Sequence, residues 1–276
     1  MSETDNPRSL RRATNLVDLG EGRYRAEISQ HYTVVGHPNG GYLQCLLANA
    51  ALLGARDAGS SHRHATAITT NYVGSPSVGP AEVTVDVRRV GRGVSFAHVE
   101  LFDNGKLTTE SVVTLGTLAE SASPRYAQFS PVELPPLDEC LEHVLPGEDN
   151  IARCMELRLD PSCAGWWQGT VNEIGETRGW LRLNDGSASW DPWSLLFASD
   201  AMPPATFPLG SSGWVPTLQL SSYVRSIPVG QWLRARQWCV VVEGDLVDER
   251  CELVDERGRL VASSSQLAMV RFPPEP

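Results

Sequence analysis

Apolar and polar positions along this chain follow two periods that take turns. Residues 23–29 make a short amphipathic strand, and the loop His37-Pro38-Asn39-Gly40-Gly41 follows. Residues 42–56 are rich in Leu and Ala with no glycine before Gly54, and their apolar side chains surround the axis. Good helix formers that are apolar on every side predict a buried helix. A period of two then takes over. Val83, Val85 and Val87 alternate with Thr84, Asp86 and Arg88, and Val99 and Leu101 alternate with His98 and Glu100, the pattern of half-buried strands. Gly91-Arg92-Gly93 and Asn104-Gly105 punctuate the runs as turns. The pattern predicts one buried helix followed by four antiparallel strands.

Between 119 and 150 the periodicity stops. Pro124, Pro131, Pro135, Pro136 and Pro146, together with several acids, predict an extended linker with one short helix near 137–144. The plan then returns. Strands are expected at about 165–172 and 177–184, then the turn Asn184-Asp185-Gly186 and a helix over about 191–202 stopped by Pro203-Pro204. Strands near 215–225, 231–242, 245–255 and 258–272 complete it. The repetition is also legible in the letters: 71–79 read NYVGSPSVG and 222–230 read SYVRSIPVG, five of nine positions identical at an offset of 151. A duplicated unit usually packs against its own copy, and the seam can host a single site. The organisation expected is a frayed terminus at 1–14, an N-terminal unit at 15–118, the linker at 119–150 and a C-terminal unit at 151–276. The fold class is α+β, two tandem copies of an antiparallel sheet wrapped around a central helix, the layout called a double hotdog.

Composition narrows the partners. With 41% hydrophobic and 20% charged residues, each half can bury its own core. A net charge of −10 with no clustered basic face argues against nucleic acid. A phosphate-bearing ligand needs only a few local cations and stays possible, although Arg11-Arg12 and Arg88-Arg89 read as solvated surface. No run approaches the roughly 18 apolar residues of a membrane helix, and residues 1–14 lack the apolar stretch of a secretion signal. Cys45, Cys140, Cys154, Cys163, Cys239 and Cys251 show no metal-ligand spacing. These features describe a cytoplasmic protein with reduced thiols, off the membrane, with no metal and no organic cofactor implied.

Candidate chemistry comes from laying the copies on each other. Asn49 falls opposite Asp200, Thr66 opposite Thr217 and, after the small shift required by the turns at Gly105 and Gly258, Val113 opposite Gln266. The second copy thus carries Asp, Thr and Gln where the first carries Asn, Thr and Val. A carboxylate on an otherwise apolar helix needs hydrogen-bonding partners, and a Thr hydroxyl and a Gln amide from nearby strands can supply them. The start of the first helix, Asn39-Gly40-Gly41-Tyr42, offers backbone N–H groups backed by the helix dipole, a place for a developing oxyanion. His37, before a proline, reads as a surface residue, and the tryptophans of the second copy mostly as core, with one or two lining a tunnel. There is no G-x-S-x-G elbow and no H-E-x-x-H. A hydratase of this fold would need a His after Asp191, and the second copy's unit at 151–276 has none.

The string Ala198-Ser199-Asp200, the Pro216-Thr217 strand and Val261-Ala262-Ser263-Ser264-Ser265-Gln266 resemble the acyl-CoA thioesterase II family over roughly residues 20–272. That resemblance implies a double-hotdog hydrolase in which Asp200, Thr217 and Gln266 hold and activate a water for attack on a thioester carbonyl, with acyl-CoA as substrate and a homodimer as the assembly. Two departures mark a divergent branch. Family members follow the Thr with Asp-His where this chain reads Leu218-Gln219-Leu220-Ser221, and open the first helix Gly-Gly-Gln where it reads Gly40-Gly41-Tyr42. The competing expectation is a hotdog that binds acyl thioesters without cleaving them.

Overall fold

In the computed structural model, which describes residues 6–120, 124–143 and 150–273, the first unit begins earlier than the sequence pattern suggests. Helix α1 (Leu10–Ala13) is capped by Ser9 and buries Leu10 and Ala13. Tyr32 donates its hydroxyl to the Arg8 carbonyl at 2.8 Å. Residues 6–14 are therefore packed rather than frayed, because one buried leucine and a tyrosine hydrogen bond hold them; residues 1–5 lie outside the described residues. Strands β1 (Leu16–Gly20) and β2 (Arg23–Ile28) form a hairpin, and the two-residue strands β3 (Thr33–Val34) and β4 (His37–Pro38) lead into helix α2 (Gly40–Asp57). Asn39 caps α2 by accepting from the Tyr42 amide at 2.9 Å, so the helix starts two residues before the expected position. Strands β5 (His64–Tyr72), β6 (Gly79–Val90), β7 (Ser95–Asp103) and β8 (Lys106–Gly116) wrap it as the alternation predicts. Asn104 and Gly105, at φ 49° and 75°, make the β7–β8 turn, the positive-φ pair that a tight hairpin requires.

The linker differs from expectation at its end. In place of a helix near 137–144 there is a single 3-10 turn, Leu137–Glu139, and then strand β9 (Leu141–Glu142), which pairs with β10 (Met155–Leu159); residues 121–123 and 144–149 are outside the described residues. The expected strand at 165–172 is also displaced. The alternation Met155, Leu157, Leu159 makes β10 instead, and Gly165–Gln168 is a 3-10 turn closed by Gly169 at φ 76°, a conformation that suits glycine. Strand β11 (Glu176–Leu183) follows, then helix α3 (Ser194–Ala198). The helix expected over 191–202 has five residues only. Asp191 caps it by accepting from the Trp193 and Ser194 amides at 3.1 and 2.8 Å. At its other end the Ser199 hydroxyl donates back to the Leu196 carbonyl at 2.8 Å. Strands β12 (Thr217–Val224), β13 (Leu233–Glu243), β14 (Leu246–Val254) and β15 (Leu260–Met269) finish the chain.

One continuous sheet results, in the order β1-β2-β6-β7-β8-β5-β12-β15-β14-β13-β11-β10-β9. Outward from the β5–β12 seam the halves match, β8, β7 and β6 on one side against β15, β14 and β13 on the other, which is the double hotdog. The repeated motifs sit at the ends of the two seam strands, but not on the same face. Ile68 and Thr70 of β5 and Leu220, Ser222 and Val224 of β12 are buried, so the odd offset of 151 reverses faces along a strand of period two. Tyr72 points inward and donates to the Gly40 carbonyl at 2.7 Å. Tyr223 is 40% exposed with Arg225 over its ring.

Behind the seam, polar groups are paired with one another. Gln44 of α2 donates to Thr70 Oγ1 and the Leu220 carbonyl and accepts from Ser222; Ser222 meets Ser199, whose carbonyl accepts from Ser264. A satisfied buried network of this kind fixes register as well as adding stability. Helices α2 and α3 approach closely where Gly41 stands: a Cβ there would lie 2.7 Å from the Leu196 carbonyl oxygen, and 2.9 Å from both the Phe197 carbonyl oxygen and Asp200 Cβ. Backbone cannot move aside cheaply. Gly41→Ala is expected to lower stability by about 1–3 kcal/mol, the range typical of an overpacked core, read as a fall in Tm by calorimetry; an unchanged Tm would mean the helices slide apart freely.

Candidate active site

A cavity of about 360 Å³ opens between the halves, with Asn39, Gly40 and Tyr72 of the first unit facing Asp200, Thr217 and Gln266 of the second. The three residues expected to act together thus line one cavity. They are not joined directly. Thr217 at the start of β12 donates to Gln266 Oε1 on β15 at 2.8 Å, whereas the hydrogen bonds of Asp200 run to the other half.

Asp200 lies just past the end of α3, and its carboxylate meets the N-terminus of α2. Gly41 N–H donates to Oδ2 at 2.9 Å, and Asn39 Nδ2 donates to Oδ2 at 3.0 Å and to the Asp200 carbonyl at 2.8 Å. Asn39 therefore caps the helix with one end of its amide and anchors the acid with the other. Two effects compete at the carboxyl. Burial raises its pKa, as does the nearby Glu249 carboxylate, while the Gly41 and Gly40 amides and Asn39 lower it; burial wins, and the group is pushed up to about 7.

This geometry corrects the oxyanion expectation. Asn39 and Gly40 line the cavity, but the Gly41 amide is bound to Asp200 and the Tyr42 amide to Asn39 Oδ1. Tyr42 is fully buried, stacked on Tyr32 at 4.9 Å, its hydroxyl donating to the Ala13 carbonyl and accepting from Ser29 N–H. The positive end of the helix holds an acid that the fold brings to it, so those amides are not open to a ligand.

Glu249 on β14 was not among the expected site residues. It is 1% exposed and accepts from Gln266 Nε2 at 2.5 Å, Gln237 Nε2 at 2.9 Å and the Ala205 amide at 2.8 Å. Burial nevertheless keeps its pKa above the usual carboxylate range. A signal was there: Glu249 is in phase with Val247, Cys251 and Leu253, an acid on the inward face of an alternating strand. At the mouth, His37 stacks on Trp214 at 3.8 Å with Nδ1 near Ser75 Oγ, so it lines the cavity rather than lying on open surface. Trp166 and Trp214 are the tryptophans that line it. His143 lines it too, pushed down to about 4 by burial. The apolar remainder includes Leu43, Ile151, Met155 and Met202.

Residues 28–118 match the acyl-CoA thioesterase N-terminal domain model, and residues 131–270 the acyl-CoA thioesterase C-terminal domain model. The chain belongs to the acyl-CoA thioesterase family. An uncharacterized protein of Mycobacterium tuberculosis is 29% identical over 266 residues, covering 90% of each chain. A crystal structure from Thermobifida fusca YX assigned as a thioesterase II is 32% identical, with a TM-score of 0.86 over 95% of this chain and 97% of that one. The acyl-CoA thioesterase II TesB2 of Mycobacterium marinum shares the fold at 16% identity, TM-score 0.71, over 96% and 99% of the two chains. Family membership makes the protein a thioester hydrolase by class, and the double-hotdog expectation holds.

The raised pKa of Asp200 has a stability consequence. The folded state keeps a proton that the unfolded chain releases near pH 3.8, so stability falls as pH rises from about 4 through about 7. One such group contributes a slope of at most about 1.4 kcal/mol per pH unit. Asp200→Asn is expected to flatten urea-derived stability over that window, leaving the same-signed contribution of Glu249; an unchanged slope would mean Asp200 titrates normally.

Proposed function

We propose that the protein hydrolyses acyl-CoA thioesters, with Asp200, Thr217 and Gln266 holding the attacking water. The observation that carries this reading is the convergence of an acid of raised pKa, a hydroxyl and an amide on one largely apolar cavity at the seam. The acyl chain lies along Leu43, Met155 and Met202, and the thioester carbonyl faces the three polar groups. Asp200 takes a proton from the water as its oxygen bonds to the carbonyl carbon. The tetrahedral adduct collapses with cleavage of the C–S bond, and the proton returns to the departing thiolate, giving free acid and CoA thiol. A base near neutrality suits this task, and a thioester is activated enough that an Asp suffices. Neither a metal nor a cofactor enters the scheme.

The same reading places the protein in the cytoplasm as a homodimer, since β1 and β9 end the sheet and exposed edges call for cover. Among the described residues no helix is long and apolar enough to cross a membrane.

The test is thiol release from acyl-CoAs of short, long and aromatic acyl groups. Asp200→Asn should lower kcat/KM by about 10²–10⁴-fold, the usual contribution of a positioned base. The wild-type kcat/KM should rise with pH through about 7 as Asp200 ionises. Tight acyl-CoA binding with no thiol release across the panel would instead make this a binding hotdog.

A further inference from the structure

We propose that Glu249 is a positioning residue that sets the direction of the Gln266 and Thr217 hydrogen bonds by fixing the amide of Gln266. The proposal rests on the hydrolytic reading above, and its premises are geometric. Among the described residues the groups bonded to the Glu249 carboxylate are donors: Gln266 Nε2, Gln237 Nε2 and the Ala205 amide. Both Glu249 oxygens thus serve as acceptors in these contacts, and Gln266 turns its nitrogen to Glu249 and its oxygen to Thr217. The amide oxygen only accepts, hence the Thr217 hydroxyl must give it its single proton, along the 2.8 Å contact observed.

What is left over faces the cavity. Thr217 keeps lone pairs and has no proton to offer. Gln266 keeps one N–H, and Asp200 keeps acceptor capacity. A water set among them donates to Asp200 and to Thr217 and accepts from Gln266. All but one of its valences are then used, and the remaining lone pair points at the carbonyl. Reversing the Gln266 amide would free the Thr217 proton and place two donors beside the water. The order of polarity therefore begins at Glu249, outside the three residues that touch the water.

A second effect follows from charge. Other titratable groups near the two acids are Tyr72 on β5, Cys251 on β14 and Cys239 on β13, and burial raises all three, so they stay neutral at working pH. The elements supplying Asn39, Gly40 and Gly41 bring dipoles but no charge to Asp200. Glu249 is thus the charged neighbour that adds to burial in holding the Asp200 proton on.

Glu249→Gln tests both effects. A Gln at 249 must aim its own NH₂ at existing donors, which drives Gln266 to flip. Supporting partners of site residues typically matter about 10–100-fold in activity, and a loss of that size in kcat with KM within about twofold is expected, because the change is in the water rather than in acyl binding. The acidic limb of the pH–rate profile should move to lower pH, since the charge that opposed Asp200 ionisation is gone. A merely structural role would lower Tm without moving that limb. Glu249→Asp, which keeps the charge, should leave the limb near its wild-type position while lowering kcat, and serves if the Gln variant fails to fold.

Carbon-13 titration of the Asp200 carboxyl supplies a readout independent of turnover. Its midpoint should fall in Glu249→Gln and stay in Glu249→Asp. An unmoved midpoint, or an unchanged kcat in both variants, overturns the proposal. Asp200→Asn run alongside separates the two claims: full activity in that variant defeats the hydrolytic scheme itself, whereas loss there with an indifferent Glu249→Gln defeats only the role of Glu249.

Discussion

Everything at the seam depends on the meeting of the α2 N-terminus with the carboxylate of Asp200. Helix amides left without partners attract an anion, and here the anion comes from 159 residues away along the chain. For the contact to form, α2 and α3 must touch backbone to backbone, and only a residue without a side chain fits at Gly41, 2.7 Å from where the Leu196 carbonyl would meet a Cβ. Gly40 is confined in the same way, between the Tyr72 hydroxyl and Asp200 Oδ2. The Gly-Gly pair is thus a packing requirement before it is a feature of chemistry, and the acid held by it binds the two halves together.

That arrangement also sets the electrostatics. Two carboxylates, Asp200 and Glu249, share one cavity and differ in their company. Glu249 is surrounded by donors that stabilise its charge and offset much of the cost of burial. Asp200 is pushed up to about 7, chiefly by burial and further by Glu249. Burial raises the pKa of both acids, and the two differ in the donors that oppose it. The polar network behind the seam, from Gln44 through Ser222 and Ser199 to Ser264, ties the two halves together without adding charge.

The parts of the fold read correctly from sequence were those with a long, uninterrupted period. Helix α2, apolar all round, and strands β6 to β8 with their Asn104-Gly105 turn follow from local pattern alone. Short elements were misplaced. The segment 165–172 has aromatic residues but no alternation that survives Gly169, and α3 is only five residues because Asp191 and Ser199 cap it at both ends. Leu10 gave no local sign of burial, since a single leucine in a charged stretch is packed by contacts from elsewhere in the chain. Glu249 was visible in phase with Val247 and Cys251, yet an acid in a strand reads as solvated until its partners are known.

The sequence by itself determined the tandem plan, the two central helices and the residue types available to a thioester hydrolase, because repeats, periodicity and helix propensity act over a few neighbours. Tertiary structure alone decided which of those groups meet. It placed Asn39 against Asp200 across 161 residues, turned Tyr72 inward and its repeat partner Tyr223 outward by a one-residue parity, and occupied the Gly41 and Tyr42 amides that local reasoning left open. It also set Glu249 behind Gln266. Burial, charge coupling and the direction of a hydrogen bond are properties of groups brought together in space, and no local pattern along the chain encodes them.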